Sequence, residues 1–247
     1  MNLKHWHARY LQQAAWSKPL RDHLWSRLGL SAARNILEVG CGTGALLDDL
    51  RQRGEARLWG ADISSEALKF ASPRLPTVRL AQADAVSLPF VSSTFDVTVC
   101  HFLLLWLPNP QAALRELLRV TQPGGWVLAL AEPDYDGRID APGIMQHFGA
   151  YQNVALRQQG ANTRIGRRLG GLFAESGLQV QETGLLGGQW QPGIPDGWEV
   201  EWQVLENDLR DFHLVYPLEE FRRRDREAWL RGERVLFVPT FYAVARV

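Results

Sequence analysis

Short apolar segments alternate with segments of helical periodicity through the middle of the chain. The apolar runs are NILEVG (35–40), LWGAD (58–62), VRLAQAD (78–84), FDVTVCHF (95–102) and GWVLALAEP (125–133). Apolar residues recur at helical spacing in ALLDDLRQRG, after the first run, and in PQAALRELLRV, after the fourth. Buried strands that alternate with helices predict a parallel sheet covered on both faces. Right-handed crossovers then give an open, doubly wound α/β sheet.

The pattern changes on both sides of this alternation. Residues 4–30 have apolar positions at helical spacing with a break at Pro19, which predicts two short helices. After residue 134 the spacing predicts helices at about 143–159, 164–176, 198–212 and 217–231, and strands at 177–188 and 235–247. We therefore expect a single domain over residues 1–247. Residues 1–30 would form lid helices, 31–134 a cofactor-binding core, and 135–247 the substrate-side helices, inserted before the last strand, and the terminal strands.

Charge and composition narrow the classes of function. The 27 Lys and Arg residues balance 27 Asp and Glu residues. A net charge of zero provides no general attraction for polyanions, which disfavours nucleic acid as a partner. Two cysteines, Cys41 and Cys100, are too few for a disulfide framework or a four-thiolate zinc site. Without an apolar leader or an apolar run of roughly 20 residues, we expect a cytoplasmic protein with no membrane span.

The glycine-rich turn EVGCGTG (38–44), between the first strand and the next helix, is the most informative segment. Glycine permits a positive φ and lets a ligand approach the backbone, while a helix N-terminus offers free N–H groups to an anion. Gly40, Gly42 and Ala45 also satisfy the dinucleotide pattern G-x-G-x-x-G/A. Asp62, at the end of the second strand, suits the ribose hydroxyls of either kind of cofactor. The turn alone leaves a nicotinamide oxidoreductase and a transferase open.

Motifs further along the chain distinguish these alternatives. They are Asp84 in ADA, LPF (88–90), Phe95-Asp96 and QPGG (122–125). This ordered set resembles the class I S-adenosylmethionine-dependent methyltransferases, in the group that includes the ubiquinone/menaquinone-biosynthesis methyltransferases. Conversely, none of the three lysines stands four residues after a tyrosine, so the commonest short-chain dehydrogenase arrangement is missing.

The resemblance implies a Rossmann-like fold with a mostly parallel, seven-stranded sheet whose last strand runs antiparallel. It implies S-adenosylmethionine as the cofactor, with S-adenosylhomocysteine as product, and no metal. Glu38 would orient the amino group of the cofactor through water, Asp62 would bind its ribose and Ile63 would pack on its adenine. The other cofactor-binding positions implied are Gly40, Cys41, Gly42, Gly44, Asp84, Ala85, Cys100 and His101.

Residues outside these motifs are candidates for the lid and for the acceptor side. Gln13 and Trp16, at i and i+3 of the first helix, would lie over the methionine tail of the cofactor. His101 is a candidate catalytic residue because imidazole transfers protons near neutral pH; the alternative is that only its backbone contacts the cofactor. The carboxylates of EPDYD (132–136) would bind a cationic amine or a divalent metal, or only solvate the loop and cap a helix.

Tryptophan is the last clue to the acceptor. Seven of the ten tryptophans lie outside the cofactor-binding segment, at Trp6, Trp16, Trp25, Trp190, Trp198, Trp202 and Trp229. We expect some of them to wall the acceptor site, with core packing as the alternative for each. The expected reaction is methyl transfer to an O, N or C atom of a small, partly apolar molecule. A tRNA, rRNA or protein methyltransferase and a noncatalytic cofactor-binding protein remain alternatives, and the acceptor, the need for a general base and the oligomeric state stay open.

Overall fold

A computed structural model describes residues 2–188 and 192–247 of the chain. The strands in these ranges are β1 (Asn35–Val39), β2 (Arg57–Asp62), β3 (Arg79–Gln82), β4 (Phe95–Cys100), β5 (Thr121–Pro133), β6 (Ile139–Ala141), β7 (Gln179–Leu185), β8 (Val235–Phe237) and β9 (Thr240–Arg246). The helices are α1 (Leu3–Trp16), α2 (Lys18–Arg27), α3 (Ala45–Leu50), α4 (Ser65–Ala71), α5 (Pro110–Val120), α6 (Gly143–Gln158), α7 (Ile165–Glu175), α8 (Trp198–Asp208) and α9 (Leu218–Leu230).

Seven of the described strands form one sheet in the order β3-β2-β1-β4-β5-β9-β7. β1 pairs in parallel with β2 and with β4, and β4 pairs in parallel with β5. β9 lies antiparallel between β5 and β7. The doubly wound, mostly parallel sheet with an antiparallel last strand is therefore confirmed. Its topology places the ends of β1, β2, β4 and β5 at one edge, where ligands of open α/β sheets bind.

Alternate residues of the central strands supply the two faces of the core. In β1, Ile36 packs with apolar residues of α2, α3 and α4 on one face of the sheet. Leu37, the next residue, packs with those of α5 and α7 on the other face. Because both faces are covered, the central strands are almost continuously apolar, which is what made them recognisable in the sequence.

The predicted helical additions are present, and they have an apolar cluster of their own. It joins α6, α8 and α9 through Phe148, Trp198, Trp202, Phe221 and Trp229. Each of these helices ends within a few residues of its predicted limits. None of the helices in the described ranges combines the length and the apolar character that crossing a bilayer requires.

The C-terminal strand differs from its prediction. Residues 235–247 form two strands, β8 and β9, and β8 pairs with β6 in a separate two-stranded sheet that the sequence did not reveal. Pro239 lies between the two strands, and proline cannot donate to a strand ladder. The three-residue β6 is too short to give a periodic signal. This small sheet carries the chain toward the open edge of the main one.

Candidate functional site

The glycine-rich turn lies where β1 ends and α3 begins. Gly40, Gly42 and Gly44 have φ values of +76°, +49° and +80°. A Cβ atom at Gly40 would come within 2.7 Å of Leu103 Cδ1, so both the conformation and the close packing require glycine. The Gly42 N–H donates to Asp62 Oδ2 at 2.7 Å. This hydrogen bond joins the turn after β1 to the carboxylate at the end of β2.

Glu38 is the buried carboxyl of this site. Only 2% of the residue is exposed, and its Oε2 atom finds no hydrogen-bond partner among the described residues. Burial, reinforced by the charge of Asp62, raises the pKa of Glu38 from about 4.5 to about 8. An unpartnered buried carboxyl is costly, so a cationic group beside it would be stabilised. This oxygen fits the amino group of the implied cofactor.

Other residues predicted to bind the cofactor lie where β2 and β3 end. Ile63 has 69% of its surface exposed, which leaves its side chain available to pack against a flat ring. Asp62 Oδ1 accepts a hydrogen bond from Ser64 N, and Asp84 Oδ1 accepts one from Val86 N. Ala85 is buried next to Asp84. These residues lie on neighbouring strands, as a nucleoside site requires.

The two cysteines, at Cys41 and Cys100, are buried in the core. Burial raises the pKa of each thiol well above its usual value. A thiol with a raised pKa is a poor nucleophile. Only their backbones therefore remain as candidates for cofactor contact.

Helix α1 lies across the glycine-rich turn. His7 Nδ1 is 2.9 Å from Thr43 Oγ1, and the Tyr10 ring lies so close that a Cβ atom at Gly42 would be 3.2 Å from Tyr10 Cε2. Sequence reasoning missed His7 and Tyr10, although their i, i+3 spacing on a helix expected to cover the cofactor was an available signal. Gln13, at i+3 from Tyr10, is partly buried, and its contact with the cofactor stays a prediction.

His101 follows the end of β4, and its side chain contacts Ser17, the residue between α1 and α2. Its Nε2 atom is 2.8 Å from Ser17 Oγ, which also accepts a hydrogen bond from Arg21 Nη1 at 2.6 Å. Withdrawal of the imidazole from bulk water, with the nearby Arg21 charge, lowers the pKa of His101 to about 3. A base with so low a pKa accepts protons poorly at neutral pH. These surroundings favour a positioning contact, and a catalytic role for His101 stays a prediction.

The acidic run after β5 is engaged in structural contacts. Glu132 accepts hydrogen bonds from the backbone N–H groups of residues 103–105 at 3.0–3.1 Å. Asp134 pairs with Arg167, and Asp136 pairs with Arg157 and Arg164. Across residues 2–188 and 192–247, no group of three His, Cys, Asp or Glu side chains is arranged to hold a metal. Glu132 and Asp134 thus accept backbone hydrogen bonds, as the capping alternative expects, whereas Asp136 forms ion pairs with two arginines.

A cavity of about 380 Å³ lies where β4 and β5 end, bounded by α1, α6, α8, α9 and β8. Its aromatic lining residues are Trp16, Phe102, Tyr135, Phe148, Trp198, Trp202, Trp229 and Phe237. Phe102 has a φ of +53°, a strained conformation for a non-glycine residue, and its ring is 6.3 Å from that of Trp16. Phe102 directly follows His101, so the end of β4 also contributes to the cavity wall.

The tryptophan prediction can be compared with this cavity. Four of the seven, at Trp16, Trp198, Trp202 and Trp229, line it. Trp6 stacks on Tyr10, and Trp25 packs in the core. Trp190 lies outside the described residues.

The arginines of the cavity wall are paired with carboxylates, whereas Asp196, an exposed carboxylate of the wall, forms no ion pair with a described residue. Arg9 pairs with Glu201, Arg138 with Asp140, and Arg234 with both Asp140 and Asp225. Each arginine in the wall thus has a carboxylate partner. The cavity is therefore aromatic and close to neutral.

Asp225 also orders the aromatic wall. Its Oδ2 atom accepts hydrogen bonds from the indole N–H groups of Trp198 and Trp202 at 2.6 and 2.9 Å. Its Oδ1 atom accepts one from Arg234 Nε at 2.6 Å. One buried carboxylate thus fixes two of the cavity's rings.

Comparison with known proteins gives consistent results. Residues 37–129 match a family described as a methyltransferase domain. A demethylmenaquinone methyltransferase from Bacillus pumilus is 30% identical over 183 residues, which are 65% of this chain and 77% of that protein. The methyltransferase GfsG from Streptomyces halstedii is 32% identical over 137 residues, 52% of this chain, and the match spans only 49% of GfsG.

A solved structure adds the fold. That of a geranyl diphosphate methyltransferase in complex with S-adenosylmethionine gives a TM-score of 0.58 at 17% identity. The match covers 94% of this chain and 84% of that one. At this identity the likeness establishes a shared architecture.

Proposed function

Because the chain belongs to the methyltransferase-domain family, we propose that it transfers a methyl group from S-adenosylmethionine to an O, N or C atom of a small, partly apolar molecule. The observation that carries the proposal is the aromatic cavity of about 380 Å³ beside Phe102, at the same sheet edge as the glycine-rich turn. A cavity of this size and lining is typical of a small-molecule site. Its paired charges give no reason to expect a polyanionic acceptor.

Different residues at this edge of the sheet would bind different parts of the cofactor. Glu38 would accept a hydrogen bond from its amino group through water, with the glycine-rich turn (40–44) leaving room for its methionine part. Asp62 would bind the ribose hydroxyls. Ile63 would pack on the adenine, whose edge the 84–85 segment would hold. The unpartnered Oε2 of Glu38 and the exposed apolar surface of Ile63 support this division.

The chain's own contribution to the reaction is alignment and the exclusion of water. S-adenosylmethionine supplies a methyl group on a positively charged sulfur, so an in-line displacement needs no dedicated nucleophile in the protein. Helix α1 would cover the cofactor through His7 and Tyr10, while Trp16 and Phe102 would limit the approach of water from the cavity. The rigid aromatic wall would hold the acceptor in one orientation, which contributes to rate by proximity.

Two binding titrations and a labelling experiment test the proposal. Isothermal titration calorimetry should show binding of S-adenosylhomocysteine and no binding of NAD. With tritium-labelled cofactor, label should then appear in a small-molecule fraction of a cell extract. Label in the tRNA or protein fraction would support those acceptors instead. Tight cofactor binding with label in no fraction would favour a noncatalytic binding protein.

A further inference from the structure

Tyr135 presents a polar group in the wall of the aromatic cavity. It is the second residue after β5, and only 9% of the residue is exposed. Its hydroxyl makes no hydrogen bond to any described residue, although the hydroxyl is not sealed off within the protein. A ligand that covers this hydroxyl without bonding to it would incur the cost of desolvating it, whereas a ligand that accepts its hydrogen bond would not. The hydroxyl is therefore a candidate contact for whatever occupies the cavity.

The backbone around Tyr135 is fixed from two sides. Asn153 Nδ2 donates to the Tyr135 carbonyl oxygen at 2.9 Å. The preceding residue, Asp134, caps the turn by accepting a hydrogen bond from Gly137 N at 3.0 Å and is itself held by Arg167. The ring is thus preorganised, so a ligand contact would not have to offset the entropy of ordering it.

The charges near the hydroxyl define the kind of ligand that it suits. Its neighbours Arg9 and Glu201 pair with each other, and Arg138 pairs with Asp140. An anionic ligand would have to break one of these buried pairs, which is costly, and it would also meet the carboxylate of Asp208, which acts on the same hydroxyl and forms no ion pair with a described residue. Burial also raises the pKa of Tyr135 above its usual value of 10, so the hydroxyl keeps its proton and can donate.

We propose that the Tyr135 hydroxyl donates a hydrogen bond to a carbonyl or hydroxyl oxygen of a ring-containing acceptor that carries no negative charge and is held among the cavity's aromatic side chains. Tyr135 is thereby a specificity-determining residue, which distinguishes an oxygen-bearing molecule from a hydrocarbon of the same shape. This inference rests on the proposed function, because it assigns chemistry to the acceptor side of the same site. Hydrogen-bonding groups discriminate between such molecules far better than apolar contacts do.

Equilibrium dialysis with three matched probes tests this role. The probes are 2-naphthol, 2-methylnaphthalene and 2-naphthoate, which share a ring system and differ in one substituent. We expect Y135F to weaken 2-naphthol binding about fivefold, the effect of one neutral hydrogen bond. Binding of 2-methylnaphthalene should change less than twofold. The wild-type protein should bind 2-naphthoate at least about tenfold more weakly than 2-naphthol, because the anion disrupts paired charges.

Y151F is the matched control. The Tyr151 hydroxyl accepts a hydrogen bond from Val215 N at 3.0 Å and does not line the cavity, so its loss should leave all three affinities unchanged. Unchanged 2-naphthol binding by Y135F, tighter binding of 2-naphthoate, or no binding of any probe would each overturn the inference. Dialysis with and without S-adenosylhomocysteine separates the two proposals: if the cofactor product fails to bind while the probe pattern holds, only the proposed function is lost.

Discussion

Glu38 is a residue whose charge depends on what binds beside it. Its buried Oε2 has no partner among the described residues, and its pKa is raised to about 8. We expect E38Q to weaken S-adenosylhomocysteine binding about tenfold, because a neutral amide cannot match the cofactor's ammonium group. Calorimetric titration measures this loss.

A fragment of the cofactor provides the control for E38Q. 5′-Methylthioadenosine keeps the nucleoside and lacks the amino acid, so E38Q should bind it as the wild-type protein does. Equal weakening of both ligands would show that the substitution disturbs the glycine-rich turn as a whole, and that Glu38 has no specific contact with the amino group.

Individual site residues were predictable from the sequence to different degrees. Glu38 and Asp62 stand in a local motif, and the motif by itself indicates their place at the ends of adjacent strands. Tyr10 and Tyr135 carry no such motif. Tyr10 contacts Gly42 from a helix more than 30 residues away. The charges that surround the Tyr135 hydroxyl come from α1 and α8, which are also distant in sequence. Contacts between distant segments leave little trace in a single sequence.

Helix α1 lies across the glycine-rich turn, where we propose that the cofactor binds. It contacts the turn through Tyr10, and none of its residues belongs to the apolar clusters of the described core. We therefore expect Y10A to lower the affinity for S-adenosylhomocysteine about tenfold with little change in melting temperature. Titration and thermal unfolding of the same sample give both quantities.

A substitution on the other face of α1 controls for damage to the helix. Leu11 is 44% exposed, and L11A should leave both the affinity and the melting temperature close to those of the wild-type protein. If L11A and Y10A weaken binding equally, the contact of Tyr10 with the turn is not what matters. Deletion of residues 1–28 would test the role of α1 less specifically than these point substitutions. The deletion would also remove Leu24 and Trp25 from the core.

Elements of the main sheet were easier to predict than those around the cavity. β1 and β4 are buried along almost their whole length, so their sequences are short apolar runs with few alternatives. β6 and β8 have three residues each and are only partly buried. Their pairing depends on the positions that α6 and α9 give to distant parts of the chain, and a local pattern does not encode it.

At the scale of the whole molecule, buried titratable groups make stability depend on pH. Burial raises the pKa of Glu38 to about 8 and that of Glu132 to about 7, from about 4.5 in each case. At a pH above the ordinary pKa of about 4.5 and below the raised pKa, the folded state holds a proton that the unfolded chain has released. The free energy of unfolding therefore falls as pH rises through this window. His101, lowered to about 3 from 6.5, acts in the opposite direction, but only below about pH 6.5. We therefore expect the melting temperature to fall from pH 6.5 to pH 8.

Differential scanning calorimetry of E38Q across this range measures the share of Glu38. The variant should show a shallower fall, with Glu132 supplying what remains. E66Q, which changes an exposed carboxyl at the start of α4, should follow the wild-type curve. A wild-type melting temperature that is constant or rises from pH 6.5 to pH 8 would contradict the assignment of raised pKa values to the two buried carboxyls.

The aromatic cavity also has a consequence for how this protein can diverge. Most of its wall comes from α1, α6, α8, α9 and the small sheet, whereas the strands and glycine-rich turn of the main sheet contribute almost nothing. Substitutions that reshape the wall therefore leave the apolar packing of the main sheet nearly untouched. Substitutions in the wall, whether they arise in evolution or by mutagenesis, can therefore change the acceptor without changing the glycine-rich turn and the strand ends proposed to bind the cofactor.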